Sequence, residues 1–247
     1  MARVNLSGIV AADEDVGIYN YFGYKAFSPQ VVRDAIANNP EGEELVLEIN
    51  SGGGSVVAGS EIYSVLRAAE GINTRAEIQS IAASAASYLA LGCDRVEISP
   101  VAQMMIHLPT TVTEGNRNDH LESVQLLDTV RDGILNAYEL KCAGKTSRAE
   151  LKRMMNSILW LTAQEAVRTG LADGILGDED GTLAPQDVMN AAGGLPDIAA
   201  LRAQYRAEKE KASTGGAPES ASTGGAPDAH NDDWQARARL AIEKNRF

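Results

Sequence analysis

The chain has 247 residues, 44% of them hydrophobic, which is enough for one sizeable domain with an appendage. Its 34 acidic and 22 basic residues give a formal charge of −12, a surface that argues against clustered phosphate contacts, so no nucleic acid partner is expected. Two cysteines and three histidines without a CxxC pair provide neither a disulfide framework nor a structural zinc site, so no metal and no cofactor are expected.

At the start, MARVNLSGIV lacks an apolar run of signal-peptide length, and Val4–Val10 reads as a first strand. Ser28 followed by Pro29 predicts the capped start of a helix over Pro29–Asn38. Leu45–Ile49 reads as a strand, Asn50-Ser-Gly-Gly-Gly-Ser55 as a loop, and Val56–Ala69 as a helix. Arg75–Ile78 is the next strand and Ala83–Leu91 the next helix. The small-apolar run Ile81–Gly92 is too short to span a bilayer, so a cytoplasmic protein with no membrane partner is expected. Strands Arg95–Ile98 and Met104–His107 follow. The long helical run Asn118–Cys142 carries Leu121, Val124, Leu127, Val130, Ile134 and Ala137 at three-to-four spacing, which suits either a core helix or a helix projecting toward another subunit. Two more helices follow, Arg148–Met155 and Ala163–Thr169. Ser147-x-x-Glu150 and Thr162-x-x-Glu165 read as their capping boxes, and Gly170 as the end of the second. Alternating strands and helices at this spacing predict an α/β fold with a largely parallel sheet.

Residues 201–247 hold 8 basic and 7 acidic residues, leaving 14 against 27 in residues 1–200. ASTGGAP occurs twice, at Ala212–Pro218 and Ala221–Pro227. The division expected is a domain over 1–200, a flexible linker over 201–233 in a disordered tail, and a short amphipathic segment over 234–247. That last segment reads either as a frayed end or as a tethered docking peptide.

Three segments carry chemistry. The triple glycine allows close backbone approach, but Ser60 and Glu61 follow Gly59 where a phosphate loop needs its lysine, and Val57 replaces the third glycine of a dinucleotide loop. What remains is a segment that offers N–H groups to a developing negative charge or to an extended peptide. In Ile81-Ala-Ala-Ser-Ala-Ala-Ser-Tyr88, a serine after a strand and at a helix start can present its hydroxyl, with the Ala85 N–H aimed at the same spot. Ser84 and Ser87 compete for that role. In Met104-Met-Ile-His107-Leu-Pro109, a histidine at a strand end is a candidate general base. His120 sits in a polar stretch and His230 in the linker.

The order Asn50-Ser-Gly-Gly-Gly, AASAAS at 82–87, MMIHLP at 104–109 and WLTAQEAVRTGLAD at 160–173 resembles the Clp protease proteolytic subunit over residues 3–177. More closely still, it resembles the Clp-like head maturation proteases of phages and prophages. The resemblance implies a spiral of ββα units, shared with crotonases, and a projecting handle helix over Asn118–Cys142. It also implies Ser84 as nucleophile, His107 as general base, and the Gly54 and Ala85 N–H groups as the oxyanion hole. The partners it implies are copies of the chain in rings or stacked rings, protein substrates such as capsid or scaffold segments, and an unfoldase as a further candidate. One position departs from the pattern. The family's third catalytic carboxylate lies two residues before the aromatic that is Trp160 here, and Ile158 stands there. Asn156 and Ser157 are the nearest polar candidates, with Asp128 and Asp132 further options. A weakened Ser–His dyad is one consequence and an inactive assembly scaffold the rival. A crotonase-type acyl-CoA enzyme is a third reading, but it has no use for a Ser–His pair.

Overall fold

The computed structural model describes residues 2–179. The expected linker over 201–233, the segment over 234–247, His230 and the last part of the 1–200 domain lie outside the described residues.

Parallel strands need both faces covered, and the apolar runs of the chain are distributed accordingly. Among the described residues eight strands form one sheet: β1 (Ala2–Val10), β2 (Ala26–Phe27), β3 (Leu45–Gly54), β4 (Thr74–Ala83), β5 (Arg95–Ile98), β6 (Gln103–Ile106), β7 (Leu159–Thr162) and β8 (Gly174–Ile175). Every pairing is parallel except β6 with β7. The main path runs β2-β1-β3-β4-β5-β8. β4 divides its outer edge: Arg75–Ile78 pairs with β5, and Ile81–Ala83 turns to pair with β6. That division brings the end of β6 beside the end of β4, where the expected nucleophile follows.

Among the described residues seven helices accompany the sheet: α1 (Val16–Tyr21), α2 (Pro29–Ala37), α3 (Val56–Arg67), α4 (Ala85–Leu89), α5 (Arg117–Cys142), α6 (Arg148–Asn156) and α7 (Ala163–Thr169). The core lies where α3, α4 and the inner half of α5 meet the sheet, with Leu47, Ile49, Ile62, Ile78, Leu89 and Leu135 fully buried. The two ends of α5 differ in burial. Its C-terminal part buries Ile134, Leu135, Ala137, Tyr138 and Cys142, whereas Leu121, Val124 and Leu126 near its start stay exposed. At 26 residues it is roughly 39 Å long, and the Asn116–Asp119 capping box closes its outer end.

Several expectations need correction. The triple glycine is not a loop after β3; it is the bulged end of that strand, which continues to Gly54. Ala83 belongs to β4, because the backbone reverses sense only at Ser84. β6 ends at Ile106, one residue before His107. Ser28 occupies the N-cap position of α2 but makes no capping bond. Its hydroxyl goes instead to Asp13, whose carboxylate accepts the Gln30 N–H at 2.9 Å and takes over the capping. Ser147 accepts the Glu150 N–H, but Glu150 turns to Arg153, so only half of that capping box forms; the Thr162–Glu165 box is complete. The short elements α1, β2, β7 and β8 were not anticipated. No helix among the described residues is long and apolar enough to cross a membrane.

Candidate active site

The site begins with a change of backbone sense between β4 and α4. Ser84 has φ 54 and ψ −123, an unusual conformation for a residue with a β-carbon. A side chain held on so sharp a strand-to-helix turn is presented outward rather than packed. The turn is anchored by the Ser84 N–H, which donates to the Met105 carbonyl at 2.9 Å, and by the Ser87 N–H, which donates to the Ser84 carbonyl at 3.0 Å. All five residues of α4 are buried, so the turn rests on a fixed base.

His107 follows β6 directly. The β4–β6 register, with Ala83 opposite Met105, brings it to the same end of the sheet. His107 Nε2 lies 2.7 Å from Ser84 Oγ. For Nε2 to accept the serine proton, the ring proton must sit on Nδ1. Burial pushes the imidazole pKa below its ordinary value, which keeps the ring neutral and able to accept. The other two expected serine and histidine competitors are elsewhere. Ser87 is buried with its hydroxyl bonded to the Ser84 carbonyl, and His120 is exposed near the start of α5.

The glycine run packs closely against its neighbours, and Gly53 lies against Ser84. A β-carbon on Gly53 (φ 99) would stand 2.7 Å from the Ser84 β-carbon and 3.0 Å from the Ala85 nitrogen, so only glycine fits. Gly54 is tighter still, since its β-carbon would meet the Val10 carbonyl oxygen at 2.2 Å. Ser51 holds the bulge: its hydroxyl donates to the Gly8 carbonyl at 2.6 Å and accepts the Gly53 N–H at 3.1 Å. The Ser55 N–H goes to the Val10 carbonyl on the β1 side. Of the three glycines it is thus Gly53 that lies against Ser84 and Ala85, while Gly54 lies against Val10; the bracing by Ser51 was not expected from the sequence. A serine directly before the glycine run was the available signal.

The position where the resemblance expects a third carboxylate holds Ile158. Ile106 pairs with Leu159 across β6 and β7, so the register carried one step further sets Ile158 beside His107. Ile158 is 60% exposed and has φ 50, the left-handed position past the end of α6 that ordinarily takes glycine or asparagine. Asp128 and Asp132 do not reach the histidine; both pair with Arg131 on α5. Asn156 is exposed, and the Ser157 hydroxyl donates to the Arg153 carbonyl. Among the described residues, no hydrogen bond or ion pair joins any group to His107 Nδ1.

The cleft at Ser84 and His107 is lined by Val56, Tyr88, Pro109, Ile134 and Tyr138. It continues through Val56, Tyr88 and Ile134 into a mostly apolar groove of about 280 Å³ between α3 and α5. A larger concavity of about 660 Å³ lies beside β5, β8 and α7 among Arg75, Glu97, Arg168 and Asp173, away from any paired nucleophile and base, so volume does not locate the chemistry here. Among the described residues no group of three or more potential ligands is placed to hold a metal ion.

Residues 28–179 match the Clp protease family model. The chain is 32% identical over 143 residues to the ATP-dependent Clp protease proteolytic subunit 1 of Chlamydia trachomatis serovar D, covering 56% of this chain and 72% of that one. It is 30% identical over 140 residues to the subunit 1 of Protochlamydia amoebophila, covering 55% and 66%. Against the ATP-dependent Clp protease proteolytic subunit of Chara vulgaris it is 29% identical over 186 residues, covering 69% and 83%.

Proposed function

The chain belongs to the Clp protease family of serine peptidases, and from that premise we propose that it is an endopeptidase working with a Ser84–His107 dyad. In this reading Ser84 Oγ attacks the scissile carbonyl carbon as His107 Nε2 takes its proton. The tetrahedral oxyanion is held by the Gly54 and Ala85 N–H groups. His107 then returns the proton to the leaving amine, and water hydrolyses the acyl-enzyme by the same route. The observation that carries the reading is the 2.7 Å bond between Ser84 Oγ and His107 Nε2, joining residues 23 positions apart.

The substrate lies extended beside the bulged end of β3, with an apolar side chain in the cleft that runs on between α3 and α5. The substrates we propose are capsid or scaffold segments of an assembling phage head, on the strength of the motif resemblance. The exposed Leu121, Val124 and Leu126 on the outer part of α5 support assembly into rings. Cleavage of a casein or fluorogenic peptide by the wild type, abolished in Ser84→Ala and His107→Ala, tests the reading; cleavage that survives Ser84→Ala overturns it.

One observation favours a second reading. Among the described residues nothing accepts the His107 Nδ1 proton, and the β6–β7 register sets Ile158 beside it, which suits a chain retained as an assembly scaffold. Such a chain would form the same oligomer but show no serine reactivity dependent on His107.

A further inference from the structure

Behind Ser84 lie two buried hydroxyls that this mechanism leaves unused. Ser87 is 0% and Tyr138 1% exposed. Ser87 Oγ stands 2.6 Å from the Ser84 carbonyl oxygen and 2.6 Å from Tyr138 Oη. A carbonyl can only accept, so the one hydroxyl proton of Ser87 goes to Ser84, and the Tyr138 O–H is the donor to Ser87 Oγ. Burial raises the Tyr138 phenol well above its ordinary pKa, so that donor keeps its proton throughout the working range. The relay thus has one direction, from α5 through α4 to the nucleophile's own carbonyl.

That carbonyl shares its peptide unit with the Ala85 N–H. A trans peptide is planar, with its N–H pointing opposite to its C=O, so whatever fixes the Ser84 carbonyl fixes the aim of the Ala85 N–H. The plane needs holding, because Ser84 at φ 54 and ψ −123 lies outside the basins that would keep it there unaided. Two donors, the Ser87 N–H at 3.0 Å and the Ser87 hydroxyl, meet on that oxygen. They also polarise the unit and strengthen its N–H as a donor. Alanine and phenylalanine would fill the same space, and hydroxyls in an apolar interior cost free energy unless bonded, so packing alone does not account for this pair.

We propose that Ser87 and Tyr138 are positioning residues: a buried two-hydroxyl relay that holds the Ser84–Ala85 peptide plane and thereby aims the Ala85 N–H at the developing oxyanion. The proposal rests on the peptidase reading. Its test uses the full chain, a fluorogenic peptide, and a peptide boronate of the same sequence whose tetrahedral adduct occupies the oxyanion site. Ser87→Ala is expected to lower kcat and boronate affinity together by about tenfold, the scale of one lost hydrogen bond, with KM within twofold. Tyr138→Phe lowers both by about threefold. The double variant matches Ser87→Ala, because Tyr138 acts only through Ser87. The acid limb of the pH profile stays in place, since His107 is untouched. Tyr138→Phe, which leaves the ring in position, decides the matter if Ser87→Ala does not fold. Single variants with kcat and boronate affinity within twofold of wild type overturn the relay alone; a wild type that neither cleaves nor binds the boronate overturns the peptidase reading and the relay with it.

Discussion

Replacing Ile158 with aspartate puts a carboxylate at the register position beside His107, and the structure allows the consequences to be worked out in advance. The left-handed backbone there costs a β-branched residue about 1–2 kcal/mol, and aspartate tolerates it better. Against that stands the lost burial of an isoleucine already 60% exposed, about 1 kcal/mol from a full-burial value of about 1.5–3 kcal/mol. The two nearly cancel, so Tm should move by less than about 4 °C, and any change in rate reports on chemistry rather than folding. The introduced carboxylate can accept the His107 Nδ1 proton. A charged acceptor contributes about 1.5–3 kcal/mol, equivalent to a rate gain of roughly 10–150-fold if it acts in the transition state. It also raises the imidazole pKa, which burial alone now lowers, so the acid limb of kcat/KM should move to higher pH. Ile158→Asn relieves the same backbone without the charge and should give a smaller gain and a smaller shift. Peptide hydrolysis across pH 4–9 (roughly two units either side of an ordinary histidine) is the assay. An aspartate variant that folds but is no faster than wild type, with its acid limb unmoved, would refute the reasoning.

In the wild type the acid limb should fall below the ordinary histidine value of about 6.5, because the base must be neutral and burial keeps it so to lower pH. The linked stability has the matching sign: with the folded pKa depressed, the contribution of His107 is complete above the unfolded value and declines as pH falls through it, which thermal melts across that window can follow. Gly53→Ala should cost about 1–3 kcal/mol of stability and at least tenfold in rate, since its β-carbon collides with Ser84 and crowds the Ala85 nitrogen; near-wild-type activity would remove this glycine from the site. Asp128→Ala and Asp132→Ala should each leave peptide hydrolysis within twofold of wild type, because both carboxylates pair with Arg131 and neither reaches the base. A large loss in either would identify the missing third group.

Much of this site is legible in the residue order because its parts sit at element ends. Pro109 announces the end of the apolar run that leads into His107, and small residues around Ser84 announce a tight turn. The glycines announce a close approach, although not that they continue β3 as a bulge, because a bulge is defined by its neighbours Gly8 and Val10 in another strand. Long helices were found by periodicity, whereas α1, β2, β7 and β8 are too short to show a period. The Asp13 cap of α2 and the Ser87–Tyr138 pair could not be read, since each joins residues far apart in sequence through side-chain hydrogen bonds that no local pattern announces. The substitution at Ile158 was visible, but its left-handed backbone was not, because isoleucine is among the last residues a local rule would place there.

The account depends on a nucleophilic Ser84 activated by His107, and covalent modification measures that without a known substrate. Incubation with a fluorophosphonate, followed by intact mass and peptide mapping, should show one adduct per chain on Ser84, absent in Ser84→Ala and slowed at least a hundredfold in His107→Ala, the scale of a lost general base. No adduct on the folded wild type, or an equal rate in His107→Ala, would contradict it.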